Sequence, residues 1–134
     1  MPNHVHLLLY LAETQVELNT IIGNAKRFMA YELIKRLNRQ EKKDVLRMLS
    51  GAVTAKENAK GQLHKAFEPS FDAKPVYTLD FLYQKLDYIH HNPVSGKWNL
   101  CNEFTDYPHS SAAYYELNKR HPAIQITDYR QYWF

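Results

Sequence analysis

His4-Val5-His6 sets two imidazoles two residues apart within the opening MPNHVHLLLYL. Val5, Leu7, Leu8 and Leu9 give that stretch the aliphatic, β-branched run of a buried strand. Side chains alternate across a strand, so His4 and His6 fall on one face, roughly 6–7 Å apart. Much later, Tyr88 and Asn92 stand four apart in KLDYIHHNPVSGKW, one helical turn from each other. Two imidazole nitrogens and a carboxamide oxygen can hold a divalent cation and leave positions open for water or phosphate. A phenol beside that cation could attack a phosphorus atom whose oxygen the cation polarises. His90 and His91 offer other nitrogens for the same task. They also fit a bland role, as polar residues at a helix end favoured by its dipole.

Elements able to position these groups are legible around them. Thr78 can cap a helix over 79–92, with Leu82, Leu86 and Ile89 as its apolar stripe and Phe81 at the flank. Pro93 ends it, because proline lacks the N–H that a continuing helix needs. Tyr88 and Asn92 then sit at the edge of the packed surface, held yet within reach of a ligand. Between strand and helix, Thr14-x-x-Glu17 reads as a capping box. It opens a helix whose stripe is Leu18, Ile21, Ile22, Ala25, Met29, Leu33 and Leu37. Val45, Leu46 and Leu49 permit a short second helix, and TAKENAKG reads as an exposed loop. HKAFEPSF, broken by Pro69, reads as a strand or short hairpin. NEFTDYPHSSAAYYELNKRH gives turns and one more short helix, and AIQITDYRQYWF a terminal strand or an aromatic tail.

Bulk properties narrow the classes. A chain of 134 residues, 45% hydrophobic and 23% charged, has the size and composition of a single soluble domain, residues 1–134. No apolar run reaches the length of a membrane span. The single Cys101 rules out an internal disulfide framework and fits a reducing, cytoplasmic setting. Charge is unevenly spread. Residues 26–65 hold eleven Lys/Arg against four acids, so that segment carries +7 and the remainder −4. A basic segment of this kind is a phosphate-binding footprint or a solvated helix face. Lys26, Arg27, Lys35, Arg36 and Arg39 are its candidate DNA contacts. The ten Tyr, six Phe and two Trp include surfaces on which unpaired bases could stack.

Taken in order, MPNHVHLLL, AKRF, FEPSFD, YIHHNPV and DYPHSSAAYY resemble the motif series of the single-tyrosine HUH transposases. The similarity is closest to the REP-associated tyrosine transposases and related insertion-sequence transposases, and it covers nearly the whole chain. It implies that His4 and His6 are metal ligands, Asn92 a third ligand and Tyr88 the nucleophile. Mg²⁺ or Mn²⁺ is the implied cofactor. The implied activity is DNA transposition and recombination: cutting single-stranded DNA beside a hairpin, through a 5′-phosphotyrosine intermediate, and rejoining it. The implied fold is α+β, a partial ferredoxin-like (RRM-like) antiparallel sheet with helices on one face.

The chain departs from that pattern at its start. In the family a strand, a helix and a further strand precede the HUH strand, so Met1 reads as an internal methionine and the chain as an N-terminally shortened copy. An unpaired first strand would expose an edge and aliphatics. Expected partners are therefore hairpin or single-stranded DNA and a second copy of the chain in a homodimer, with no membrane. The alternative reading is a catalytically inactive remnant that still grips hairpins. A small zinc protein using His4, His6, His90 or His91 is a third.

Overall fold

The computed structural model describes residues 1–12 and 16–132. They group into two compact units, residues 1–12 with 74–134, and residues 13–73. Thr14 of the expected capping box, and residues 133–134 of the expected terminal strand, lie outside the described residues.

The second unit is helical. Helix α1 (Leu18–Arg39) runs for 22 residues and ends with Arg36 and Arg39 in its last turn, where cations complement the helix dipole. Half-buried on it are Leu18, Ile21, Ile22, Ala25, Lys26, Ala30, Ile34 and Leu37. Met29 and Leu33, expected inside, stay exposed. The covered face thus keeps Leu18, Ile21, Ile22, Ala25 and Leu37 of the sequence stripe and adds Lys26, Ala30 and Ile34 to it. Helix α2 (Lys43–Gly51) half-buries Leu46 and Leu49. Helix α3 (Ala55–Asn58) replaces the expected loop and starts at a complete capping box. Thr54 accepts from the Glu57 N–H, and the Glu57 carboxylate accepts from the Thr54 N–H. The following chain is pinned to α2, where the Lys65 N–H donates to Leu49 O at 2.9 Å and Ser50 Oγ to Leu63 O at 2.9 Å.

The first unit is built on α4 (Leu79–His91) and α5 (Ala112–Leu117), with 3₁₀ turns at Asn92–Val94, Phe104–Asp106 and Tyr129–Gln131. Thr78 caps α4 by accepting from the Phe81 N–H at 3.2 Å. Leu82, Pro93 and Ala112 are its fully covered apolar side chains. Buried His90 joins α4 to the start of α5, its Nε2 lying 3.0 Å from Ser111 Oγ. Tyr129 packs against Tyr115, with ring centroids 5.2 Å apart, so the C-terminal aromatics lie on this unit as a tail rather than as a strand.

The expected α+β fold with its ferredoxin-like antiparallel sheet is overturned. Among the described residues there is no strand. A strand is stable only when its N–H and C=O groups pair with a neighbour. Residues 4–11 make no backbone hydrogen bond to any other described residue. Val5, Leu7, Leu9 and Tyr10 are accordingly exposed. Residues 64–71 likewise form no strand.

Candidate metal and nucleophile site

Helix α4 stops because Pro93 follows Asn92, which leaves Asn92 as the C-cap in helical geometry (φ −54°, ψ −39°). Tyr88 therefore lies one turn before Asn92, and both face the N-terminal segment. The Asn92 Nδ2 lies 3.0 Å from His6 Nε2. The His6 ring stands edge-to-face against Tyr88, centroids 5.8 Å apart, and against His4 at 4.8 Å. The structure thus gathers His4, His6, Tyr88 and Asn92, the four residues singled out in the sequence. They lie outside the 210 Å³ cavity lined in part by Tyr83, His90, Tyr115 and Tyr129, and form an open surface cluster. Tyr88 is 57% exposed. A polymeric substrate could reach its hydroxyl.

Hydrogen bonds fix which nitrogens are available. His4 Nδ1 donates to Asn3 Oδ1 at 2.7 Å, which leaves the lone pair on Nε2. The Asn92 NH₂ donates to His6 Nε2, so His6 carries its proton on Nδ1. Burial, and then the neighbouring His4, hold the His6 imidazole below its ordinary range and keep it neutral. Neutral imidazoles are the metal-binding form. Asn3 is a contributor that sequence reasoning passed over, although it stands inside the MPNHVH motif.

Among the described residues, no three His, Cys, Asp or Glu side chains gather to hold a divalent cation. The donors available are two imidazoles and one carboxamide. As placed, the Asn92 NH₂ occupies the His6 Nε2 lone pair, so an ion there would need the carboxamide turned by half, Oδ1 toward the ion, and His6 kept with its proton on Nδ1. Two nitrogens with one oxygen suit Mn²⁺ better than Mg²⁺, which prefers oxygen throughout.

His90 and His91 are committed elsewhere. His90 is 4% exposed and bound to Ser111. His91 lies on Phe104, centroids 4.1 Å apart, with its Nδ1 3.1 Å from the Asp87 carboxylate.

The five candidate DNA contacts all lie on α1, but they differ in availability. Lys26 Nζ donates to the carbonyls of Glu68, Pro69 and Ser70 at 2.9, 3.3 and 2.8 Å, and lies 5.6 Å from the Phe71 ring centroid. Its charge is spent on holding residues 68–71. Arg36 pairs with Glu32 at 2.8 Å, and Arg27 rests over Phe28. Lys35 and Arg39 make no ion pair or hydrogen bond among the described residues, so they are the cations most free for phosphate.

No model of a known protein family, no curated protein and no solved structure matches the chain. No helix among the described residues is long and apolar enough to cross a membrane.

Proposed function

We propose that the chain nicks and rejoins single-stranded DNA beside hairpins through a 5′-phosphotyrosine intermediate, as the single-tyrosine HUH transposases do. The observation that carries this reading is the meeting of the His4–His6 pair with Tyr88 and Asn92 from the end of α4.

His4 and His6 through their Nε2 atoms, and Asn92 through its oxygen, would hold Mg²⁺ or Mn²⁺. That ion would supply Lewis-acid polarisation of the phosphate and offset developing negative charge. Asn3 keeps His4 in the tautomer with a free Nε2, and partial burial keeps His6 uncharged. The Tyr88 oxygen forms the new bond to phosphorus as the bond to the 3′ oxygen breaks. The phenolic proton passes to solvent, and the departing oxygen takes one up as a 3′ hydroxyl. Attack by a 3′ hydroxyl on the phosphotyrosine reverses the step and joins strands. Lys35 and Arg39 supply charge that the DNA backbone would meet, so affinity should fall with salt.

A hairpin-bearing single-stranded oligonucleotide with Mn²⁺ should give a covalent protein–DNA adduct on a denaturing gel. Tyr88→Phe keeps the ring and removes the oxygen, and should abolish the adduct. A wild-type chain that forms none at any Mn²⁺ concentration would overturn the reading.

A further inference from the structure

Beside the His4–His6 pair stands an aromatic group that the tyrosine chemistry does not use. The Trp98 indole lies against His4, ring centroids 6.0 Å apart at an interplanar angle of 62°. The Lys97 ammonium lies over the indole, 5.2 Å from its centroid. Both belong to the loop that leaves the Asn92–Val94 turn, and that loop has a defined shape. Gly96 and Asn99 take positive φ angles of 59° and 38° on either side of them. The Trp98 N–H donates to Ser95 O at 3.3 Å, and the Leu100 N–H closes the loop onto Pro93 O at 2.8 Å. Ser95 Oγ ties the same loop to His91 O at the end of α4. Pro93, at its base, is fully buried. A half-buried indole is thus held next to a candidate ligand imidazole, with a flexible lysine over its ring.

We propose that Trp98 and Lys97 form a nucleotide subsite, in which one unpaired base of a single strand stacks on the indole and the phosphate joined to it takes the Lys97 ammonium. The ligand class is single-stranded nucleic acid, because the subsite matches one nucleotide in both its parts. A π-face accepts any base, and one mobile cation at its edge accepts one backbone charge. Stacking displaces the ammonium from the indole, and the four-carbon stem lets it swing to the phosphate. The neighbouring His4 makes the stacked nucleotide one that flanks the phosphate presented to Tyr88. The subsite rests on the nuclease reading for that placement. It predicts in addition that affinity and position along the strand are set partly by a residue outside the metal and tyrosine cluster.

The test uses the whole chain and a fluorescein-labelled, hairpin-bearing single strand, with binding read by anisotropy in EDTA so that no cutting occurs. The oligonucleotide is varied by placing an abasic site at each unpaired position in turn. Wild-type protein should lose roughly 5- to 150-fold in affinity at one position, the range expected for one base–aromatic stack. Trp98→Ala should show the same loss on the intact strand and no further loss at that abasic position, and Trp98→Phe should recover part of it. Lys97→Ala should lower the slope of log affinity against log salt by about 0.7, the share of one phosphate on a single strand. No sensitive position in the abasic series would overturn the subsite, and so would a wild-type chain that binds no strand. That series needs no variant to fold. The nuclease reading is scored separately by the Mn²⁺-dependent adduct. An adduct formed equally by Trp98→Ala, with unchanged affinity, sinks the subsite alone, whereas a position-specific stack without any adduct sinks the nuclease alone.

Discussion

The Asn92 carboxamide and the His6 imidazole, 86 positions apart in the chain, meet at 3.0 Å. One partner is fixed by the end of a helix, where Pro93 forces α4 to stop. The other stands on a segment without regular structure, so the contact itself helps place it. Proposals for this centre depend on how that contact and its neighbours respond to change.

The first expectation concerns Asn3. It holds the His4 Nδ1 proton and so leaves Nε2 as the donor. Asn3→Ala should weaken Mn²⁺ binding about 10- to 100-fold, as loss of such supporting bonds does at other metal sites. His6→Ala should weaken it further. Titration of Mn²⁺ by electron paramagnetic resonance measures both, and equal binding by Asn3→Ala and wild type would remove Asn3 from the site.

Acid should destabilise the first unit through two histidines. Burial leads in lowering His6 and His90 from their ordinary 6.5, although Glu116 partly opposes it at His90. Around pH 6 the unfolded chain therefore binds more protons at these positions than the folded one, and stability rises with pH in that window. Their contribution is complete above about pH 6.5 and is lost as pH falls through the lowered folded values. Urea midpoints should be lower at pH 5.5 than at 7.5. Identical midpoints would contradict this.

Ser111 gives the buried His90 Nε2 its hydrogen bond. Ser111→Ala should cost about 1–3 kcal/mol, the usual penalty for a buried polar group left without a partner. Adding His90→Leu should cost less than the sum of the two single changes, because the unmet nitrogen is gone. Thermal denaturation of the four proteins closes the cycle, and additive costs would deny the pairing.

On α1, two kinds of cation should separate by phenotype. Lys26→Met removes the donor to three carbonyls and should raise proteolytic nicking across residues 66–72 several-fold, the direction expected when local opening becomes easier. Lys35→Ala with Arg39→Ala should leave that nicking unchanged. The pair should instead lower the salt slope of single-strand binding by about 1.4, two phosphates' worth. A reversed pattern would mean that the charges have been assigned to the wrong tasks.

These contrasts show what the sequence could and could not convey. Helix α4 was readable at both ends, because Thr78 and Pro93 act on the backbone locally whatever surrounds them. The spacing of Tyr88 and Asn92 on it followed from helical geometry alone. Residues 4–9 carry a strand's composition but form none, since pairing depends on a neighbour and not on the segment. Lys26 read as a candidate DNA contact facing solvent or nucleic acid, because its three carbonyl partners lie more than 40 positions away. The Thr54-x-x-Glu57 box that starts α3 was readable by the capping-box rule, but its Ala/Lys-rich surroundings read as loop. The same rule applied to Thr14-x-x-Glu17 misplaced the start of α1, where Glu17 is itself the N-cap and makes no side-chain cap bond.

The segment that bears His4 and His6 has no backbone ladder of its own. Its placement is thermodynamically cheap to undo, and ordering it must be charged against every binding event at this centre. A cation bridging it to Asn92 would work as a clasp. It would bind less tightly than its ligands could allow in a rigid frame, while making the amino-terminal residues more resistant to exchange with solvent as its concentration rises.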